Sequence, residues 1–133
     1  PLSRTRETLE IIRQVFEGGR ISHSGREFQI PRPGGEAKPM RLSTRPEHPI
    51  PIYLATLSPA MLRLTGRLAD GWLGTSFVPE GADQAYFAHL DEGLADSGRD
   101  RTELDICQGA EVAFAADEDA LREMVAGRKA ELA

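Results

Sequence analysis

The stretch Pro51-Ile52-Tyr53-Leu54-Ala55-Thr56-Leu57-Ser58-Pro59-Ala60-Met61-Leu62-Arg63-Leu64-Thr65-Gly66-Arg67-Leu68-Ala69-Asp70-Gly71-Trp72-Leu73 reads as strand, turn, helix, turn, strand. Its first run is nearly all apolar, which suits a strand buried on both faces, and Ser58-Pro59 supplies an N-cap hydroxyl followed by proline at the first helical position. This is a βαβ unit. The N–H groups of Ala60 and Met61, with the Ser58 hydroxyl, would face outward where the helix dipole is positive. That place is the carboxyl end of a parallel strand, where α/β proteins hold anionic ligands.

Working outward, residues 3–17 carry Leu9, Ile12, Val15 and Phe16 on one helical face, and Gly18-Gly19 follows as a stop. Residues 20–30 set Ile21, Phe28 and Ile30 around Ser24-Gly25, the pattern of a short hairpin. Residues 31–49 hold prolines, paired glycines and charges, and form a long surface loop of the functional or mobile kind. Strands are expected over 50–56, 71–77 and 104–114, parallel and neighbouring in chain order with right-handed crossovers. Helices are expected over 59–68, with Met61, Leu64 and Leu68 facing inward, over 82–96, and after Asp117, where Leu121, Met124, Val125 and Leu132 recur. The domain reading is one partial domain over 1–133: a helix (1–19), a hairpin and Pro/Gly-rich loop (20–49), and a βαβαβα segment (50–133).

Composition narrows the class. With 40% hydrophobic and 28% charged residues in 133, one modest core is affordable, and no apolar run is long enough for a membrane span. A net charge of -5, with arginines scattered among carboxylates, argues against nucleic-acid binding. Neither an export signal nor a lipidation motif is present in these residues, so cytoplasm is the expected location. Cys107 is the single cysteine, which excludes an internal disulfide. The histidines His23, His48 and His89 share no ligand spacing, so no metal is expected. Dinucleotide, P-loop, zinc-protease and serine-hydrolase motifs are all missing from the sequence.

The same residues resemble the luciferase-like flavin and deazaflavin oxidoreductases, whose signature is P-I-Y-x-A-x-x-x-P-x-x-x-x-x-A-G-x-x-A-D-G. The match runs through Pro51, Ile52, Tyr53, Ala55, Pro59, Gly66, Ala69, Asp70 and Gly71, with Thr65 where the pattern usually has alanine. Glu7 to Arg13, Gly25 to Ile30 and Ser97-Gly98-Arg99-Asp100 resemble the helix, hairpin and turn that accompany it. The resemblance implies part of a (β/α)₈ TIM barrel, about three parallel strands with flanking helices and a hairpin insertion. A full barrel needs about 250 residues, so this chain, opening on Pro1, is expected to be a fragment lacking strands one to four and eight, and inactive alone.

The resemblance also implies hydride transfer with the deazaflavin coenzyme F-420 (F420), the alternative being FMN with dioxygen in a monooxygenase. It assigns cofactor contacts to Leu57, Ser58, Ala60 and Met61, although relatives often carry small residues where Leu57 stands. Thr75 matches a threonine that holds a sugar phosphate in one relative; the plainer reading of Thr75 and Ser76 is satisfaction of backbone groups at a strand end. Substrate would be shaped by Thr75 and the 31–49 loop. Acid/base residues are expected outside these residues, so none is named. Asp70-Gly71 reads as a packing turn at the amino-terminal face, and Trp72 and Cys107 as core. Partners are expected to be a small-molecule substrate and, because three strands leave open edges, a second copy in a homo-oligomer, unless the loop or the first helix covers those edges. A reading of another class is a non-catalytic remnant or interaction module whose Leu57 fills the seat.

Overall fold

A computed structural model describes residues 1–34, 38–75, 79–109 and 112–131. Helix α1 (Leu2–Glu17) ends at Gly18, whose φ of 76° is left-handed, the conformation glycine adopts most cheaply at a helix stop. The hairpin follows as β1 (His23–Ser24) and β2 (Gln29–Ile30), antiparallel, with Gly25 N–H donating to the Phe28 carbonyl. The buried Glu7 carboxylate holds this hairpin on α1. It accepts the backbone N–H groups of Arg26, Glu27 and Phe28, each at 2.9 Å, and lies 3.3 Å from His23 Nε2.

The barrel-type segment consists of β3 (Tyr53–Leu54), α2 (Pro59–Leu68), β4 (Gly71–Gly74), α3 (Pro79–Ala82), a π-helical turn (Asp83–Phe87), α4 (Ala88–Asp96), a 3-10 turn (Arg101–Glu103), β5 (Asp105–Gln108) and α5 (Glu118–Glu131). The three strands are parallel in the order β3, β4, β5, with Tyr53, Gly71 and Asp105 in register, then Leu54, Trp72 and Ile106. The expected pairing and order therefore hold.

The ladders are shorter than the apolar runs. Residues 50–56 pair only at Tyr53–Leu54: Pro51 offers no N–H, and the amide of Ile52 is taken by the Asp70 carboxylate at 2.7 Å. The strand expected over 104–114 stops at Gln108, and Val112 and Phe114 lie 74% and 89% exposed, with no strand among the described residues to pair with them. Phe77 and Leu132 fall outside the described residues. The helix expected over 82–96 starts three residues earlier, at Pro79, and passes through a π-helical turn.

One face of the sheet is covered by α2 and α4. Trp72, Leu62, Leu90, Leu94 and Leu104 form the core, and Tyr86, Phe87 and Ile106 pack against it; the Trp72 ring lies 5.4 Å from Tyr86 and 6.1 Å, edge-on, from Phe87. Met61 and Leu68 are half-buried, and Leu62 takes the central place the periodicity had given to Met61. The reason is a second surface. Helix α2 also meets α4 through Gly66 and Gly93, where an added Cβ would stand 2.2 Å from the Leu90 carbonyl and 2.1 Å from the Arg63 carbonyl. Arg99 locks the same corner by donating to the carbonyls of Gly66, Ala69 and Glu103, each at 2.8 Å.

Candidate functional site

Strand β3 delivers the chain to the turn at 55–58 and on to α2. Thr56 is buried, while Leu57, Ser58, Pro59 and Ala60 are exposed and Met61 half-buried. Ser58 is the N-cap residue, φ -77° and ψ 147°, but its hydroxyl makes no capping hydrogen bond; its carbonyl instead accepts the Leu62 N–H at 2.9 Å. The expected hydroxyl cap is thus absent. In so exposed a turn water can serve these groups, so the hydroxyl need not fold back. Among the described residues the N–H groups of Ala60 and Met61 find no acceptor. Three donors consequently stand open at the positive end of a helix dipole.

Beneath the turn the backbone is pinned. The Trp72 indole N–H donates to the Thr56 carbonyl at 2.8 Å, the hydroxyls of Thr56 and Thr65 lie 2.8 Å apart, and Thr65 donates to the Met61 carbonyl at 2.9 Å. Sequence reasoning passed over this set. Its one visible signal was a threonine at position 65 where the signature usually has alanine.

Thr75 follows β4 directly and is exposed. Because β3 and β4 are parallel, continuing their register sets 75 beside 57, so the two loops share the carboxyl end of the sheet. Alternation assigns faces. Trp72 and Ile106 look into the helices, so Gly71, Leu73, Asp105 and Cys107 line the opposite face, the interior in a (β/α)₈ barrel. Leu73 is 43% exposed there. Ser76 lies outside the described residues.

The amino-terminal end carries structural polar groups. Asp70 accepts from Arg13 at 2.8 Å and from the Ile52 N–H, and its carbonyl accepts the Asp105 N–H at 2.9 Å, so one residue ties three strand starts and α1 together. Burial raises the Asp70 pKa, but Arg13, the Ile52 amide and the Arg99 charge outweigh it and hold the carboxyl below its usual range. Tyr53 crosses over Gly71, where a Cβ would stand 2.2 Å from its ring, and donates to Asp105 at 2.7 Å. That bond, with burial and nearby negative charge, pushes the phenol pKa up; burial and Asp105 push the Cys107 thiol up too. Asp70 and the Tyr53–Asp105 pair staple strands together, as expected for the Asp70-Gly71 turn; Cys107, expected in the core, is instead half-buried on the open face.

The loop over 31–49 departs from expectation. Its Met40 carbonyl accepts the Ile21 N–H, and residues 45–50 line a groove with Arg13, Phe16 and Glu17, beside the strand starts. The loop has to deliver the chain to the beginning of β3, so that part of it cannot reach the carboxyl end where Thr75 stands. No group of metal-binding side chains occurs among the described residues, and none of their helices is long and apolar enough to cross a membrane.

This order of elements, with this signature across β3, α2 and β4, has a counterpart among known proteins. The family described as luciferase-like monooxygenase matches residues 1–132. The chain belongs to that family. It is 32% identical over 117 residues to an F420-dependent glucose-6-phosphate dehydrogenase of Microbacterium testaceum, covering 87% of this chain and 33% of the relative. It is 34% identical over 122 residues to a 5,10-methylenetetrahydromethanopterin reductase of Archaeoglobus fulgidus, covering 92% and 34%. The solved coenzyme F420-dependent tetrahydromethanopterin reductase of Methanopyrus kandleri superposes with a TM-score of 0.73 at 26% identity, over 90% of this chain and 33% of that one. The chain spans about a third of the length of these luciferase-like relatives, and its fold is a partial (β/α)₈ barrel.

Proposed function

We propose that the protein carrying this chain is an oxidoreductase that exchanges hydride with coenzyme F420, and that Leu57, Ser58, Ala60 and Met61 form part of the cofactor seat. The observation that carries the reading is the alignment of F420-dependent enzymes across nearly the whole segment, the open turn included. The local chemistry fits. Three uncommitted donors at a helix N-terminus suit an anionic group of the cofactor, and the exposed Leu57 offers an apolar edge to a flat ring.

When bound, the deazaflavin supplies the hydride chemistry, and the protein supplies position and electrostatics. Ser58 and the amides of residues 60 and 61 hold the anionic part, and Thr75, one strand along at the same sheet end, offers a hydroxyl to the substrate. The donor set acts as a fixed positive pole that needs no proton transfer of its own. Partners on this reading are small molecules, in the cytoplasm, with a second copy of the chain covering exposed apolar sheet. The test is a titration of the full natural protein with oxidised F420 and, separately, FMN, followed by absorbance. Saturable binding of F420 with weaker or no binding of FMN supports the proposal, and the reverse preference overturns it in favour of a flavin monooxygenase.

A further inference from the structure

Thr65 lies fully buried in the middle of α2, and Thr56 is buried at the end of the chain leaving β3. A threonine hydroxyl has one proton. The Met61 carbonyl can only accept, so the Thr65 proton is committed to it at 2.9 Å, and the Thr56 hydroxyl must then donate to Thr65 Oγ1 across 2.8 Å. The bonds run one way, from Thr56 through Thr65 to Met61. The Thr56 carbonyl is separately held by the Trp72 indole N–H, from the strand next door. Residues 57–60 are therefore a short exposed span whose two flanking residues are both fixed from below, one to β4 and one to the body of α2.

We propose that Thr65 is a positioning residue for this turn: by joining Thr56 to the Met61 carbonyl it fixes the spacing and direction of the donors at Ser58, Ala60 and Met61 before any cofactor arrives. The inference rests on the reading of 57–61 as a cofactor seat. Alanine, the usual residue of the signature at this position, can make neither bond, so this chain carries a restraint that the common pattern lacks. Binding to a turn already held in place costs less ordering than binding to a loose one. A hydroxyl bonded back four residues also bends the first helical turn slightly, which sets where its free amides aim.

The full natural protein is compared with Thr65→Ser, which keeps the hydroxyl, Thr65→Val, which keeps the shape and removes both bonds, and Thr56→Val, which removes only the link between the two threonines. Two readouts are taken: the F420 dissociation constant by absorbance titration, and cofactor-free amide exchange at Leu62, whose N–H closes the first helical turn on Ser58. We expect Thr65→Val to bind about tenfold more weakly, Thr65→Ser to stay within about twofold, and Thr56→Val to shift in the same direction as Thr65→Val. Exchange at Leu62 should be faster in both valine variants and unchanged in the serine variant. Equal F420 affinity in wild type and Thr65→Val overturns the proposal, as does unchanged Leu62 exchange. If the wild-type protein binds no F420, the cofactor reading itself fails, and the exchange arm still reports whether Thr65 holds the turn.

Discussion

At the scale of single residues, Ser58 and Glu7 show how differently two polar side chains can be used. Ser58 occupies an N-cap without capping, so its hydroxyl contributes little to the helix and is free for a ligand. Ser58→Ala should leave the melting temperature nearly unchanged and weaken F420 binding by about 0.5–1.5 kcal/mol; a fall in melting temperature with unchanged affinity would show a capping role instead. Glu7 is committed to structure. Burial raises its pKa, but the amides of Phe28, Glu27 and Arg26 and the ring of His23 outweigh that and leave it lowered. A carboxyl lowered in the folded state contributes stability that is complete above the unfolded pKa, about 4.3, and is lost as pH falls through the folded one. The melting-temperature gap between wild type and Glu7→Gln should thus be widest near neutral pH and close in acid below about pH 4. A gap that persists or widens in acid contradicts this account. Asp70 was readable in sequence because Asp-Gly before a strand is a common turn. Glu7 and Thr65 were not: the amides that Glu7 accepts lie 19 to 21 residues away, the Thr56 partner of Thr65 lies nine residues back before the helix begins, and no local periodicity marks either pairing.

At the scale of elements, the helices were legible and the strand lengths were not. Helix α2 begins at Pro59 and ends at Leu68 as its proline and apolar spacing require. The strands β3 and β5 were overestimated because an apolar run records burial, whereas a ladder also needs a neighbour with free N–H and C=O groups. Val112 and Phe114 alternate like a strand and pair with nothing described. Periodicity likewise favoured Met61 over Leu62, since it assumes that a helix has one partner. Helix α2 has both the sheet and α4, and the glycines at 66 and 93 allow the second approach. Gly66→Ala should therefore destabilise the protein by about 1–3 kcal/mol in denaturant titration, since the new Cβ meets backbone that cannot yield by rotating a side chain. A neutral or stabilising effect, as expected for an ordinary helical glycine, would mean that the two helices are not packed this closely.

For the whole molecule, the described helices cover one face of the sheet. The other face presents Leu73 and the Tyr53–Asp105 pair, and α5 shows exposed Leu121, Met124 and Val125. Apolar surface of this kind is sticky when it has no cover. The 133-residue polypeptide made alone is expected to associate at micromolar concentration, and light scattering that finds a stable monomer would show that these surfaces are adequately solvated as they stand. The central claim is that the turn after β3 seats the deazaflavin, with the residue after β4 beside it on the substrate side. Its most direct measurement is a map of backbone amide resonances in the full natural protein as oxidised F420 is added. We expect saturable shifts concentrated at Ser58, Ala60, Met61 and Thr75, with Gly71 and Asp105 at the far end of the sheet unmoved; saturable binding that leaves residues 57–61 and 75 unperturbed would contradict the account.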